Sequence, residues 1–107
     1  FIFFTKTLVM DKSRDHHNII FRVHALKRMF ERDISDIDVA RVIDSGEVIK
    51  EYPEDTPYPS KLLKGFSSGK ILHVVVAENY EDKETMVITV YEPDPNIWDP
   101  EFRRKIK

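Results

Sequence analysis

Four side chains of this 107-residue sequence have chemistry suited to acid–base catalysis and to the handling of phosphate. His24 and Arg28 fall at positions i and i+4 of VHALKRMFERDIS, so a helix would place them on one stripe. His73 and Tyr91 lie in two later segments rich in β-branched residues. Histidine accepts or donates a proton near neutral pH, and the planar fork of arginine matches phosphate oxygens. The combination indicates proton transfer at a phosphate group.

Five further residues have side chains that could bind phosphates or stack on the bases of a nucleic acid, should the protein act on one. The planar rings of tyrosine stack on bases, and cationic side chains follow a phosphate backbone with little sequence preference. A basic C-terminal tail could serve this purpose or face a protein partner, and a solvated chain end is the ordinary alternative. The five residues are Arg32, which extends the helical stripe, Tyr58 and Lys61 in and after a proline-rich segment, and Arg103 and Arg104 in the tail.

The two histidines also have ordinary structural interpretations. His24 could cap or pack within a helical hairpin, and Arg28 could support the same hairpin. His73 stands alone in an apolar strand, where a hydrogen-bonded core histidine is the more common case. The two imidazoles could divide the acid and base roles only if His73 lies on the face of the sheet that carries the helices.

The composition excludes several classes of site. The chain has no cysteine, so disulfides, thiolate metal sites and a cysteine nucleophile are excluded. His16 and His17 are adjacent, but neither HExxH nor a comparable spacing supplies further ligands, which disfavours a metal-dependent hydrolase. We therefore predict no metal and no other cofactor. No apolar run approaches the roughly 20 residues of a membrane span, and the N-terminal segment does not resemble a signal peptide, so we expect a cytoplasmic protein.

Charge is segregated along the chain. The net charge is −2, which weakly disfavours a nucleic-acid binder, but residues 22–32 and 101–107 are basic while residues 78–94 are acidic. The distribution therefore indicates separate surfaces of opposite sign.

Hydrophobic spacing predicts two helices that position the basic stripe. The first begins at about Arg22, and its apolar arc is expected to face the core. The second is capped by Ser35 and stopped by Gly46. The predicted core positions are Val23, Leu26, Met29 and Phe30 in the first helix, and Ile37, Val39, Ala40, Val42 and Ile43 in the second.

The remainder of the chain indicates a sheet. Strands are predicted over residues 47–52, 61–66, 70–78 and 85–92, separated by a proline-rich loop and polar turns. The fold class is therefore α+β, in the order (β)ααββββ: two N-terminal helices packed on a mainly antiparallel sheet of four to five strands. Residues 1–21 are predicted to be an extension or an edge strand, and residues 22–107 to form one domain with a basic tail.

Four blocks of this sequence together resemble a widespread prokaryotic family of small domains of unknown function. The blocks, in order, are HALKRMFERDIS, GEVIKEYPEDTPYPS, LHVVVAE, and ITVYEPDP with the tryptophan that follows. The resemblance covers about residues 22–104. Members of that family resemble the toxin half of toxin–antitoxin pairs encoded beside a YgiT-type zinc-finger antitoxin, and their layout is similar to that of the RelE and MqsR messenger-RNA interferases.

The resemblance implies a metal-independent endoribonuclease that acts on RNA or at the ribosome and is neutralised by an antitoxin protein. Such an enzyme needs a base for the 2′-hydroxyl, an acid for the leaving 5′-oxygen and cations for the pentavalent phosphorane. The block HAxxRM supplies His24 and Arg28, while His73 and Tyr91 complete the predicted catalytic set. The alternative is a noncatalytic protein-binding module on the same fold.

Overall fold

A computed structural model describes the backbone of residues 9–11 and all of residues 18–106. Residues 1–8, 12–17 and 107 lie outside the described part of the chain. The adjacent histidines His16 and His17 therefore fall outside it, as does most of the predicted N-terminal extension.

Two helices pack on one face of a mixed sheet, which confirms the α+β class. The sheet order is β1-β2-β6-β5-β4-β3, with β2 and β6 parallel and all other neighbours antiparallel. None of the described helices is long and apolar enough to cross a membrane. The elements are β1 (Val9–Asp11), β2 (Asn18–Phe21), α1 (Val23–Arg32), α2 (Asp36–Ser45), β3 (Glu47–Tyr52), β4 (Ser60–Ser67), β5 (Lys70–Asn79) and β6 (Glu84–Tyr91).

Two strands precede the helices, and the six-stranded sheet is larger than the four to five strands predicted. Ile19 and Phe21 of β2 are fully buried in the core cluster, and the strand pairs with β6. The predicted domain boundary at residue 22 therefore leaves out a strand that belongs to the packed unit. A strand of four residues next to an amphipathic helix carries too short a pattern to be distinguished from the helix start.

The core-facing side of α1 differs from the predicted apolar arc. Ala25 and Met29 are buried, whereas Val23 is 63% and Phe30 89% exposed. The helix packs on β6, and the small side chain of Ala25 leaves room for a close approach to the sheet. Spacing alone fixes which residues share a face, but not how much of a broad apolar face the sheet will cover.

The second helix begins and ends as its sequence predicts. The Ser35 hydroxyl accepts a hydrogen bond from the Asp38 backbone N–H, and the Ser35 backbone N–H donates one to the Asp38 carboxylate, which completes a capping box. The helix ends at Gly46, which takes an extended conformation, and a Cβ at this position would lie 2.4 Å from the Val42 carbonyl oxygen, so glycine is required. Val39 and Val42 are fully buried as predicted, but Ile37 is 53% exposed.

The two faces of the sheet have different coverings. Leu72 and Val74 of β5 point into the core beneath the helices, so His73 between them points to the opposite side, called here the distal face. Residues 93–106 follow β6, and Trp98 and Phe102 from this segment pack against His73 on that face. Helices thus cover one side of the sheet, and an irregular C-terminal segment covers part of the other.

Two register shifts redirect side chains to the distal face. A shift between Val48 and Lys50 in β3 leaves Val48 opposite the core residue Leu63 but puts Lys50 opposite the distal residue Leu62. A second shift lies in the pairing of β5 with β6. On one side of it Val87 lies opposite the core residue Val76, and on the other side Tyr91 lies opposite the distal residue His73. Bulges commonly reorient side chains next to functional sites. Here they bring Lys50 and Tyr91 to the same side of the sheet.

Candidate functional site

His73 is fully buried on the distal face, and both of its ring nitrogens have partners. Nε2 lies 2.9 Å from the carbonyl oxygen of Phe102, and Nδ1 lies 3.2 Å from the hydroxyl of Tyr91. A carbonyl can only accept, so Nε2 carries the proton and Nδ1 of the neutral ring accepts from the Tyr91 hydroxyl. Trp98 packs edge-on at 4.5 Å between ring centroids. His73 is therefore oriented by three neighbouring groups.

The protonation states of this pair follow from burial. Desolvation lowers the pKa of His73, opposed by the Phe102 hydrogen bond and assisted by the positive charge of Lys64. Desolvation raises the pKa of Tyr91, and the neighbouring Tyr52 phenol adds to that effect. Near pH 7 the pair is thus a neutral imidazole accepting from a protonated phenol.

A short hairpin in the C-terminal segment presents basic side chains beside this pair. Trp98 bridges Lys105 in antiparallel fashion, and the Asp99 carboxylate accepts the backbone N–H of Arg103 at 2.9 Å. Phe102 takes a φ of 58°, a left-handed conformation that is uncommon for residues other than glycine. In this conformation the Phe102 carbonyl accepts the hydrogen bond from Nε2 of His73. The basic tail is therefore folded onto the distal face as far as residue 106.

The hairpin and the sheet enclose a cavity of about 320 Å³ on the distal face. It combines an apolar floor, two aromatic rings and four cations, one from β3 and three consecutive ones from the C-terminal hairpin. We call this cavity the cationic groove. Its lining residues are Ile49, Lys50, Tyr52, Leu62, Trp98, Arg103, Arg104 and Lys105.

Three of the four cations in the groove are not neutralised by carboxylates. Arg103 pairs with Glu47 at 3.0 Å and also with Glu101, and these carboxylates raise its pKa. Within residues 18–106, no carboxylate forms an ion pair with the other three groove cations. Lys50 instead lies 5.5 Å above the Tyr52 ring, and Lys105 lies 5.8 Å above Trp98. Arg104 also forms no ion pair within that range, although its charge adds to the Arg103 backbone hydrogen bond in lowering the pKa of the Asp99 carboxyl. The groove consequently concentrates positive charge beside aromatic rings.

The predicted stripe of His24, Arg28 and Arg32 lies on α1, on the other side of the sheet. All three side chains are exposed, and Arg28 makes a long contact of 3.9 Å with Glu31. His73 faces away from the helices, so the sheet separates the two histidines. The shared cleft considered for His24 and His73 does not form, and only His73 and Tyr91 of the predicted catalytic set are in contact.

The predicted RNA-binding residues lie in different places. Arg104 lines the groove without a carboxylate partner in the described chain, whereas Arg103 is bound to two carboxylates. Lys61 forms an ion pair with Glu78 at 3.3 Å on the face that carries the helices, away from the groove. Tyr58 lines a second cavity on the distal face, and its hydroxyl accepts from Asn79. Of the predicted RNA-binding residues, Arg103, Arg104 and Tyr58 line cavities of the distal face, and Arg103 alone of these three forms ion pairs in the described chain.

Sequence reasoning did not identify Lys50 and Tyr52 as site residues. Their i, i+2 spacing in EVIKEY is a signal that both side chains share one face of β3. Which face of the sheet the two side chains occupy depends on the register shift beside Ile49, and no feature of the sequence indicates that shift. Trp98, the tryptophan that follows the last resemblance block, packs on His73 while lining the groove.

Metal chemistry finds no support in the described side chains. Residues 18–106 contain no group of three or more histidine or acidic side chains placed to hold a metal ion. The candidate site therefore consists of the cationic groove with the adjoining His73–Tyr91 pair.

Comparison with known proteins identifies a family but no characterised relative. No curated protein and no solved structure gives a significant match to this chain. The profile of the family described as "Domain of unknown function (DUF4258)" matches residues 21–92, which is more than half of the chain and contains β3 to β6 together with both helices. The chain belongs to the DUF4258 family of domains of unknown function.

Proposed function

We propose that this protein binds single-stranded RNA in the cationic groove and cleaves it without a metal ion. The observation that supports this is the placement of three unpaired cations beside two aromatic rings in one cavity. Proteins that bind single strands combine a positively charged groove with rings on which bases stack. Lys50, Arg104 and Lys105 would neutralise phosphates, while Tyr52 and Trp98 would stack on bases.

The His73–Tyr91 pair supplies a base for the reaction. The 2′-hydroxyl gives its proton to the Tyr91 oxygen as the Tyr91 proton moves to Nδ1 of His73. The resulting imidazolium keeps its Nε2–H bond to the Phe102 carbonyl. The 2′-oxygen forms a bond to phosphorus, and the bond from phosphorus to the 5′-oxygen breaks.

The groove also supplies the acid and the electrostatic stabilisation. The Tyr52 hydroxyl donates its proton to the departing 5′-oxygen, which leaves a 2′,3′-cyclic phosphate and a 5′-hydroxyl. Arg104 stabilises the charge on the phosphorane through its planar fork. Proton transfer from His73 back through Tyr91 to the Tyr52 phenolate restores the starting state.

We assign this activity, as a proposal, to the toxin class of a type II toxin–antitoxin system. The support is the resemblance of the sequence blocks to a family whose members resemble such toxins, together with the similarity of that family's helix–helix–sheet layout to the RelE and MqsR interferases. On this proposal the protein acts in the cytoplasm on messenger RNA, free or at the ribosome, and a zinc-finger antitoxin of the YgiT type neutralises it. The acidic segment of residues 78–94 would suit a basic partner.

The test compares the two cationic surfaces by matched double variants. Lys50→Ala/Arg104→Ala removes two charges from the groove, and Arg28→Ala/Arg32→Ala removes two from α1. Fluorescence anisotropy with an unstructured RNA should show at least about a tenfold loss for the groove variant. Its salt slope should fall by about 1.4, because each phosphate contact to a single strand contributes about 0.7. The α1 variant should change affinity less than about twofold.

Cleavage is tested separately with Tyr91→Phe. This variant keeps the ring but removes the proton relay, so RNA binding should persist while the 2′,3′-cyclic product is lost. Unchanged affinity in the groove variant would refute the RNA-binding proposal. RNA binding by the wild type without cleavage, with ribosomes both present and absent, would reject the nuclease step and favour a noncatalytic binding module.

A further inference from the structure

A second cavity lies on the distal face beside the cationic groove. Its volume is about 200 Å³, which leaves room for one planar ring rather than a drug-sized ligand. Val75 lies in its floor and pairs in register with Leu62, which forms part of the floor of the groove. A strand of RNA lying in the groove would therefore meet this cavity next. The cavity is lined by Arg22, Asp55, Thr56, Pro57, Tyr58, Ser60, Val75, Ala77 and Ile88.

The cavity has an apolar floor and a rim of polar groups. Val75, Ala77 and Ile88 provide surface against which a flat base can pack. Tyr58 places an aromatic ring at the rim, and its hydroxyl is held by the side-chain amide of Asn79 at 3.2 Å. Bases recognised in single strands are commonly stacked on aromatic rings and read along their edges. The shape and the floor thus suit a nucleobase.

Asp55 supplies an acceptor at the rim of this cavity. The hydroxyl of Ser60 donates to Oδ2 of Asp55, which orients the carboxylate, and in the described chain no donor occupies Oδ1. An ionised carboxylate only accepts hydrogen bonds. Guanine presents two adjacent donors, N1–H and the 2-amino group, on its Watson–Crick edge. Adenine, cytosine and uracil each place at least one acceptor beside their donor, and a carboxylate repels it.

Arg22 supplies the complementary donors. Its guanidinium lies against the sulfur of Met86 at 3.5 Å, and no described carboxylate neutralises it. Arginine donates well to O6 and N7 of guanine, the commonest specific contact to that base. Asp55 and Arg22 therefore favour the same base through different edges.

We propose that the second cavity binds one guanine of the RNA strand held in the cationic groove. This inference rests on the proposed function, because the groove must hold the strand for the cavity to read it. The groove gives affinity without sequence preference, and the cavity adds the preference for guanine at a fixed distance from the reacting phosphate.

The test measures base preference with the full chain. Short uridine strands carry one central guanosine, adenosine, cytidine or inosine, and fluorescence anisotropy gives the affinity for each. Guanosine should bind at least about tenfold more tightly than adenosine, the value of one good bidentate contact. Inosine lacks the 2-amino donor and should fall between them. This comparison needs no variant protein.

A pair of charge-matched variants tests the role of Asp55. Asp55→Asn replaces one acceptor by a donor and should lower the guanosine-to-adenosine ratio at least about threefold, leaving the preference that Arg22 supplies. Glu54→Gln removes the same charge at the exposed neighbouring position outside the cavity and should keep the ratio. Equal affinity for all four strands, or an unchanged ratio in Asp55→Asn, would overturn the inference and leave the RNA-binding function intact. Failure of every strand to bind would instead reject the proposed function.

Discussion

The stripe on α1 and the cationic groove carry similar charges but are built in different ways. The stripe takes His24, Arg28 and Arg32 from consecutive turns of one helix, and water surrounds each side chain. The groove takes Lys50 from β3 and Arg104 from the C-terminal hairpin, 54 positions later in the sequence numbering, and these exposed side chains line one cavity together with aromatic rings. One surface is local in sequence, and the other exists only after folding.

This difference shows why helical spacing is a weak guide to a site. Residues at i, i+4 and i+8 share a side of any helix, whether that side is functional or merely solvated. Charges beside the low-dielectric floor and walls of the groove interact more strongly with a ligand than charges in bulk water. The shared cavity with its aromatic rings, more than any spacing in the sequence, makes the groove the stronger candidate site.

The largest expected difference between the two regions concerns one aromatic residue in each. Trp98 is buried against His73 in the groove wall, whereas Phe30 on α1 is 89% exposed. Trp98→Ala should lower the free energy of unfolding by about 3–5 kcal/mol, because it leaves a cavity in a packed region. Phe30→Ala should change it by less than about 0.5 kcal/mol. Urea unfolding followed by circular dichroism measures both values.

A small loss in Trp98→Ala would show that the C-terminal hairpin is only loosely held, and the groove would then have no fixed wall. A loss of several kcal/mol in Phe30→Ala would show that this ring is covered in solution, and that the α1 surface is not simply solvated.

Local patterns in the sequence predicted the elements better than their faces. The positions of the strands, the Ser35 cap and the Gly46 stop depend on neighbouring residues, and the structure confirms them. The sequence blocks also predicted membership of a family of domains of unknown function. The family match to residues 21–92 confirms that part of the prediction.

The location of the site depended on interactions that local patterns do not contain. Strict alternation would keep Val48, Lys50 and Tyr52 on one face, but the shift beside Ile49 separates Val48 from the other two. The left-handed Phe102, whose carbonyl binds His73, was equally unmarked. Bulges and hairpin docking are decided by packing between distant segments, so the side of the sheet that carries the site could not be predicted.

The second prediction concerns the buried polar side chains of the two faces of the sheet, beginning with Asp38 of α2 on the face that carries the helices. Its carboxylate accepts from the hydroxyls of Ser67 at 2.6 Å and Ser68 at 2.7 Å, and these bonds hold its pKa far below the usual range. Asp38→Ala should cost about 2–4 kcal/mol in the free energy of unfolding, since charged hydrogen bonds and buried hydroxyl partners are lost. Asp36→Ala, on the same first turn, should cost less than about 1 kcal/mol.

The effect of Asp38 has a defined pH dependence. Because the folded-state pKa lies below the unfolded value of about 3.9, the stabilisation is complete above that value and is lost as the pH falls through and below it. The difference between wild type and Asp38→Ala in chemical unfolding should therefore be constant from pH 5 to 7 and shrink below about pH 4. A constant difference down to pH 2 would mean that packing, rather than the charge, is what Asp38 contributes.

The smallest predicted effect is at His73, a buried polar side chain of the distal face. Burial lowers its pKa below the unfolded value of about 6.5, so the unfolded chain binds a proton more readily than the folded one. Stability contributed by the neutral ring is complete above pH 6.5 and is lost as the pH falls through that value. The slope is at most about 1.4 kcal/mol per pH unit and continues down to the folded-state pKa.

His73→Gln separates this titration from the rest of the protein. Its amide can retain one bond to the Phe102 carbonyl or to Tyr91 but cannot be protonated in this range. The variant should therefore lose the pH dependence between 6.5 and 5 that the wild type shows in urea unfolding. His24→Gln on the exposed helix should leave that dependence unchanged. If His24→Gln removed the slope and His73→Gln did not, the histidine responsible for the pH dependence would lie on α1. The helical stripe, rather than the groove, would then be the stronger candidate site.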